Sequence, residues 1–353
     1  MSPITPSAVL EELVAGRDLD EQTAHALMRT LMAGELDPVV VAALLVALRT
    51  KGETPDEVAG FVRGMIDAAT PLEVAPYVRE RAVDTCGTGG DGAGTINVST
   101  VAALVVAAAG VPVVKHGNRA ASSLSGSADL LEAWGVAIDL GPEAAARVLD
   151  EVGITFLFAR RYHPAMRHVA PVRTALRLRT VFNLLGPLSN PARVRRQVVG
   201  VPDLAIGRLV ADALARLGHV RALVVHGGDG LDELTTTTTS HVWDVRNGSV
   251  VEEMFDPATL GIARATLDDL RGGDVALNRQ FADDILAGTP SARAELVALN
   301  AGAALVVAEI EPDVAAGFRR AQELLRDGSA RGVLERWVVA SQRASVADAN
   351  GGS

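Results

Sequence analysis

Residues 83–115 read VDTCGTGGDGAGTINVSTVAALVVAAAGVPVVK, and how this stretch is parsed decides the fold. Residues 81–85 can end a short strand. The glycines that follow, Gly87, Gly89, Gly90, Gly92 and Gly94, cannot pack a core, so they read as a loop whose amides face a ligand. Glycine suits that task because a backbone curled around a ligand enters positive φ and approaches closely without a Cβ. Asn97, Ser99 and Thr100 suit a helix start, VAALVVAAAG predicts a buried helix with Gly110 in the C-terminal capping position, and VPVVK predicts a second strand. In a strand, glycine loop, helix and strand, successive N–H groups and a positive helix end make a site for phosphate.

Two familiar phosphate loops do not account for it. Gly87, Gly89 and Gly92 satisfy G-x-G-x-x-G, but a dinucleotide site also needs an acidic residue about 20 positions on. That region, GVPVVKHGNR, offers Lys115 and Arg119 instead, and no Gly-Lys-Ser/Thr follows to make a P-loop. Beyond the second strand, KHGNRAASSLSGSADLLEAWG carries two cations and four serines, with Ser127 expected to cap a helix closing at Gly135. Two consecutive strand-to-helix loops that meet anions point to a substrate with two separate phosphate groups.

The strings GTGGD, NVST, KHGNRAASS, GSADLLEAWG, HPAMRH, RTVFNLLGPLSNPA and HGGDGLDE resemble those of the anthranilate phosphoribosyltransferase family of tryptophan biosynthesis. They stand in the family's order, and the likeness runs from about residue 10 to about residue 340. The resemblance implies an α/β fold with a small discontinuous helical domain and a large α/β domain whose mostly parallel central sheet is covered by helices. The expected helical domain is 1–74 joined by about 164–190, the phosphoribosyl-pyrophosphate-binding domain 75–163 and 191–345, and the tail 346–353 frayed. For phosphoribosyl pyrophosphate the resemblance implies contacts from Gly87, Gly90, Asp91, Thr95, Asn97, Val98, Ser99 and Thr100 in the first loop. From the second it implies Lys115, His116, Gly117, Asn118, Arg119, Ala120, Ala121, Ser122, Ser123 and Ser127. Anthranilate would meet Gly87, Asn118 and Arg173, and Mg²⁺, two ions per monomer, would meet Ser99, Asp232 and Glu233. No covalent catalyst is implied; Lys115 and the metal would stabilise the transition state. Arg160 and Arg161 depart from the family pattern by being more basic there, which bears on the outer aminobenzoate path.

Composition agrees with a soluble catalyst of small molecules. A chain of 353 residues with 48% apolar content can bury a large core, and a net charge of −10 argues against nucleic acid or an anionic membrane as partner. The single Cys86 excludes an internal disulfide and cysteine-cluster metal sites, fits a reducing cytoplasm, and reads as a small buried filler. The N-terminus shows no signal-peptide pattern, and the longest apolar runs fall short of a membrane span. Residues 7–74 are helical in pattern, with Asp37-Pro38 and the capping box Thr54 to Glu57 as start signals. Their wide apolar faces, with the family resemblance, imply a homodimer through these helices.

Past Gly135, VAIDL, ITFLFA, RRQVVGV and RALVVHG alternate as strands with helices, which argues for a mostly parallel sheet. The arginine-rich interruption between ITFLFA and RRQVVGV resembles a return crossing into the helical domain. Threonines 235–239 read as an edge strand or loop. Asp232 and Glu233 follow the strand ending at Val225-His226, where open parallel sheets place ligands and where hard oxygen donors suit Mg²⁺. His116 could donate to phosphate, shuttle a proton or simply pack, while His163 and His168 are wrongly spaced for zinc. Two other readings stay open: a pyrimidine nucleoside phosphorylase, against which KHGNR and RTVFNLLGPL speak, and a non-catalytic nucleotide- or nucleic-acid-binding relative.

Overall fold

The computed structural model describes residues 5–120 and 124–351. Four helices open the chain: α1 (Pro6–Val14), α2 (Glu21–Ala33), α3 (Pro38–Lys51) and α4 (Pro55–Asp67). Their starts follow local chemistry, since Asp20, Asp37 and Thr54 accept the N–H groups of Thr23, Val39 and Glu57. Buried Glu57 ties the group together, accepting from Leu19 N at 2.9 Å, Lys51 Nζ at 2.9 Å and Thr54 N at 2.8 Å.

The short α5 (Pro76–Arg81) leads into β1 (Val83–Gly87), followed by α6 (Val98–Ala108), β2 (Val113–Gly117), α7 (Ser127–Ala133), α8 (Pro142–Val152) and β3 (Ile154–Phe158). A crossing of α9 (Ala159–Tyr162), a 3-10 turn Pro164–His168, α10 (Ala170–Leu176) and α11 (Phe182–Leu188) then returns to the helical unit. Val172, Phe182 and Leu185 of the crossing share a core with Leu27, Leu44 and Phe61 of α2, α3 and α4, so the helical unit is assembled from two separate stretches. The chain re-enters the sheet as β4 (Arg196–Gly200), α12 (Leu204–Arg216), β5 (Arg221–Gly227), β6 (Ser240–Arg246) and β7 (Ser249–Phe255). It closes with α13 (Leu267–Leu270), α14 (Val275–Leu286), α15 (Ala292–Val307), α16 (Val314–Arg326) and α17 (Ser329–Gly351).

Among the described residues the seven strands form one sheet, ordered β3-β2-β1-β4-β5-β6-β7, with the first five parallel and the last two antiparallel. Side chains alternate across it: Val198, Leu223 and Val225 enter the core with α6 and α15, whereas Val199, Ala222 and Val224 enter the core with α12 and the helical unit. α6 is apolar all round and buried along its length, hence its place beneath α15 and α17.

Four expectations are corrected. VAIDL, 136–140, makes no ladder, because its amides are taken elsewhere: Ala137 N donates to Ser341 Oγ at 3.0 Å. The tail is helical through Gly351 instead of frayed, held where Asp348 accepts from Gly141 N at 2.9 Å and pairs with Arg161 at 3.3 Å. Ser127 begins α7 but does not cap it; Asp129 accepts from Gly126 N and Ala120 N, both at 2.9 Å, while Ser127 Oγ donates to Asn118 O. The β6–β7 hairpin was not anticipated, although its turn residues Asn247 and Gly248, at φ 46° and 86°, are the Asn-Gly pair that such turns prefer. Threonines 235–239 are a loop, with Thr235 and Thr237 hydroxyls donating to Asp229 Oδ2.

Candidate active site

The C-terminal ends of β1, β2 and β5 converge on the glycine loop. Gly89, Gly90, Gly92 and Gly94 take φ between 62° and 87°, where a Cβ strains the chain. The loop is fastened on two sides. Thr88 N donates to Gly200 O at 2.9 Å and Gly89 N to Asp232 Oδ2 at 2.9 Å, while Gly272 N donates to Gly94 O at 2.9 Å. Gly87 and Gly200 are glycines because Asp232 packs on both: a Cβ on Gly87 would strike its Oδ2, and one on Gly200 its main-chain oxygen.

The loop bearing Asp232 and Glu233 is itself clamped from α15, where the Asn300 side chain accepts from Leu234 N at 3.0 Å and donates to Leu234 O at 2.9 Å. Burial, and then the neighbouring Asp91, push the Asp232 carboxyl up to about 6 against the pull of Gly89 N. Glu233 is driven well above the usual carboxylate range by burial and by Asp232. Crowded acidic oxygens of this kind fit a hard divalent cation. Among the described residues no three carboxylate, imidazole or thiol side chains converge as a ready-made metal site.

Beneath them Lys115 is 2% exposed, its Nζ donating to Thr85 O and, at 3.2 Å, to Ser99 Oγ. Burial lowers its pKa, opposed by Asp84 and Glu233. Asp84, also buried and raised to about 6 by burial, accepts from Asn190 Nδ2 at 2.9 Å and from His116 N at 3.3 Å. Asn97 spans the two loops, donating to Ser125 O at 3.1 Å and accepting from Asn278 Nδ2 at 3.1 Å.

The crossing carries two guanidinium groups with no ion-pair partner among the described residues, of which Arg179 reaches the glycine loop. Arg173 is half-buried, 5.4 Å from the Phe182 ring, and burial alone depresses its pKa. Arg179 extends both terminal nitrogens to Gly89 O at 3.2 Å and lies so close that a Cβ on Gly90 would collide with it.

The profile of the Glycosyl transferase family, helical bundle domain, matches residues 7–69, and that of the Glycosyl transferase family, a/b domain, matches residues 79–331. An anthranilate phosphoribosyltransferase of Rubrobacter xylanophilus is 50% identical over 335 residues, covering 95% of this chain and 97% of that protein. The chain belongs to the anthranilate phosphoribosyltransferase family. The crystal structure of anthranilate phosphoribosyltransferase from Thermus thermophilus aligns with a TM-score of 0.89 at 47% identity, covering 95% of this chain and 99% of that one. The Saccharomyces cerevisiae anthranilate phosphoribosyltransferase in complex with PRPP and Mg shares the fold at 23% identity, with a TM-score of 0.88 and coverage of 96% and 98%.

Within this anthranilate phosphoribosyltransferase architecture, Gly87, Asp91 and Glu233 neighbour Asp232, Gly90 lies against Arg179, and Ser99 meets Lys115. Ala121, Ser122 and Ser123 lie outside the described residues. Three cations or donors are engaged within the protein itself. Lys115 is a buried support for Ser99, not an open cation. Arg119 is already spent, paired with Glu132 and with Asp129 at 3.3 Å. His116 turns away, its Nδ1 donating to Gly186 O at 3.1 Å and its ring 5.0 Å from that of His163; burial holds its pKa near 3, so it is neutral. Thr100 is likewise buried, its hydroxyl without a partner among the described residues. Arg161 pairs with Asp348 of the C-terminal helix and with Asp139, each at 3.3 Å. Gly200 and Asn300 are not among the expected site residues; only the bulk that glycine avoids at 200 hints at them.

Proposed function

We propose that this chain transfers the phosphoribosyl group of 5-phosphoribosyl 1-pyrophosphate to the amine of anthranilate, giving N-(5-phosphoribosyl)anthranilate and pyrophosphate, the second step of tryptophan biosynthesis from chorismate. The observation that carries it is the glycine loop fastened to the Asp232–Glu233 floor, which suits a pyrophosphate with its cation. Arg173 of the crossing, without an ion-pair partner among the described residues, suits a carboxylate. Half identity to a curated relative across nearly the whole chain supports the same reading.

The aryl amine is neutral at pH 7, so it needs neither a strong base nor a covalent nucleophile. Arg173 orients the acceptor by its carboxylate, bringing the amine to the face of C1 opposite the leaving group. Loop amides and the start of α6 receive charge developing on pyrophosphate, and Lys115 holds the Ser99 hydroxyl in place from below. Mg²⁺, when bound, would neutralise pyrophosphate oxygens, and Asp232, Glu233 and Ser99 are the residues to hold it, as two ions. The helical unit 1–74 with about 164–190 carries Arg173 and Arg179 over the domain formed by 75–163 and 191–345. The chain acts as a cytoplasmic homodimer, a reading supported by Val14 and Val39, 73% and 76% exposed on α1 and α3.

Loss of anthranilate fluorescence is the test. It should require both phosphoribosyl pyrophosphate and Mg²⁺. Consumption without the first, no consumption with both, or phosphorolysis of uridine instead would overturn the assignment.

A further inference from the structure

At the other end of β4, a strand's length of about 15 Å from the substrate loops, a cavity of about 400 Å³ opens between α4 and the base of the sheet. Arg63, Arg79, Arg193 and Arg195 line it, together with His25 and His219. Asp67 is the one carboxylate among its described lining residues, which leaves an excess of positive charge in a chain whose net charge is −10. Ile66, Leu188 and Leu217 give it an apolar wall.

The four arginines are not equally committed. Arg63 pairs with Glu21 at 2.6 Å and Arg79 with Glu73 at 3.3 Å. Arg193 reaches Asp67 only at 3.5 Å and shares it with His25, which holds the other oxygen at 2.8 Å. Arg195 has no carboxylate partner among the described residues and rests on Gly218 O. Arg193 also adopts φ 54°, a conformation that glycine would take at less cost. Strain at a non-glycine residue is an observation that asks for a role. The amides of Asn190 and Gln197 are already donated to Asp84 and Pro187 O, so recognition falls to the arginines.

We propose that this cavity binds a small organic anion with an apolar body: a carboxylate or phosphate monoester on a ring or short chain. The volume lies in the range of small-molecule sites. Arg193 and Arg195, the least committed of the four to carboxylates, match a carboxylate or phosphate, and the Ile66–Leu188–Leu217 wall takes the apolar part.

Calorimetric titration of the full-length protein, its catalytic site saturated with phosphoribosyl pyrophosphate and Mg²⁺, tests this with phenyl phosphate as the probe. One equivalent should bind to wild type and to Arg173→Ala alike. Arg193→Gly, which suits the backbone there, and Arg195→Gln should each weaken binding at least tenfold. Inorganic phosphate and phenol should each bind far more weakly than phenyl phosphate. Unchanged affinity in both arginine variants overturns the site, as does loss of binding in Arg173→Ala. Equal affinity for inorganic phosphate overturns the ligand class.

Discussion

Arg173 and Lys115 show how differently two cations of one site are used. Arg173 is half-buried without a carboxylate partner, so its guanidinium is available to a substrate carboxylate. A bidentate pair is geometric as well as electrostatic, and lysine cannot reproduce it. With anthranilate and aniline as competing acceptors, Arg173→Lys and Arg173→Ala should both lose discrimination, the alanine form more fully. kcat/KM for anthranilate should fall roughly ten- to hundredfold, from about 1.5 to 3 kcal/mol of charged hydrogen bonding. Unaltered discrimination in Arg173→Ala would move the search to Arg177 or Arg179. Lys115 is a structural cation beside buried Asp84 and Glu233, so its removal strands a buried acid. Lys115→Met should lower unfolding stability by about 3 to 5 kcal/mol as well as impair turnover. Urea unfolding without substrate measures this; a normal midpoint with only a raised KM for phosphoribosyl pyrophosphate would show Lys115 to be a phosphate contact.

At the scale of elements, the loop after β5 depends on α15. Asn300→Ala leaves both main-chain groups of Leu234 without their partner, which should cost about 1 to 3 kcal/mol and loosen the Asp232–Glu233 pair. Asp232→Ala with Glu233→Ala should abolish the response of turnover to Mg²⁺ while circular dichroism stays unchanged. Full activity of that double variant at limiting Mg²⁺ would remove the pair from the metal site. The glycine loop, the buried helix and the carboxylate pair were readable in the sequence because each is written in local residue chemistry. What escaped was non-local. VAIDL has a strand's composition, yet α17 takes its amides, and the tail is helical because Asp348 meets Gly141 and Arg161 about 200 positions upstream. Arg119 looked like a phosphate ligand because nothing in KHGNR reveals that Glu132, one helix on, claims it. The β6–β7 hairpin was missed because exposed Glu252 and Glu253 dilute the apolar pattern of an edge strand.

Across the whole molecule, buried imidazoles make stability depend on pH. Burial, with Arg195 nearby, holds His219 at about 4, and it is neutral in the folded protein. A depressed folded value means that its contribution is complete above about pH 6.5 and is lost as pH falls toward 4. The stability difference between wild type and His219→Gln should therefore shift against wild type by about 1.4 kcal/mol per pH unit across that window. A constant difference between pH 7 and 4.5 would show that His219 titrates alike in the folded and unfolded states. For assembly, light scattering should give twice 36.7 kDa for wild type and a monomer for Val39→Glu. A wild-type monomer would remove the homodimer reading.

The placing of the lone thiol has a practical sequel. Cys86 Sγ lies 3.8 Å from Pro187 O of the crossing and 3.8 Å from Val198 O of β4, and burial raises its pKa well above that of a free thiol. Thiolate is the species that alkylates. A maleimide should therefore label this protein slowly at pH 7, at a rate set by how often the crossing parts from the sheet. Because the chain has a single cysteine, that rate would be an unambiguous clock for the parting, and one that bound substrate ought to slow.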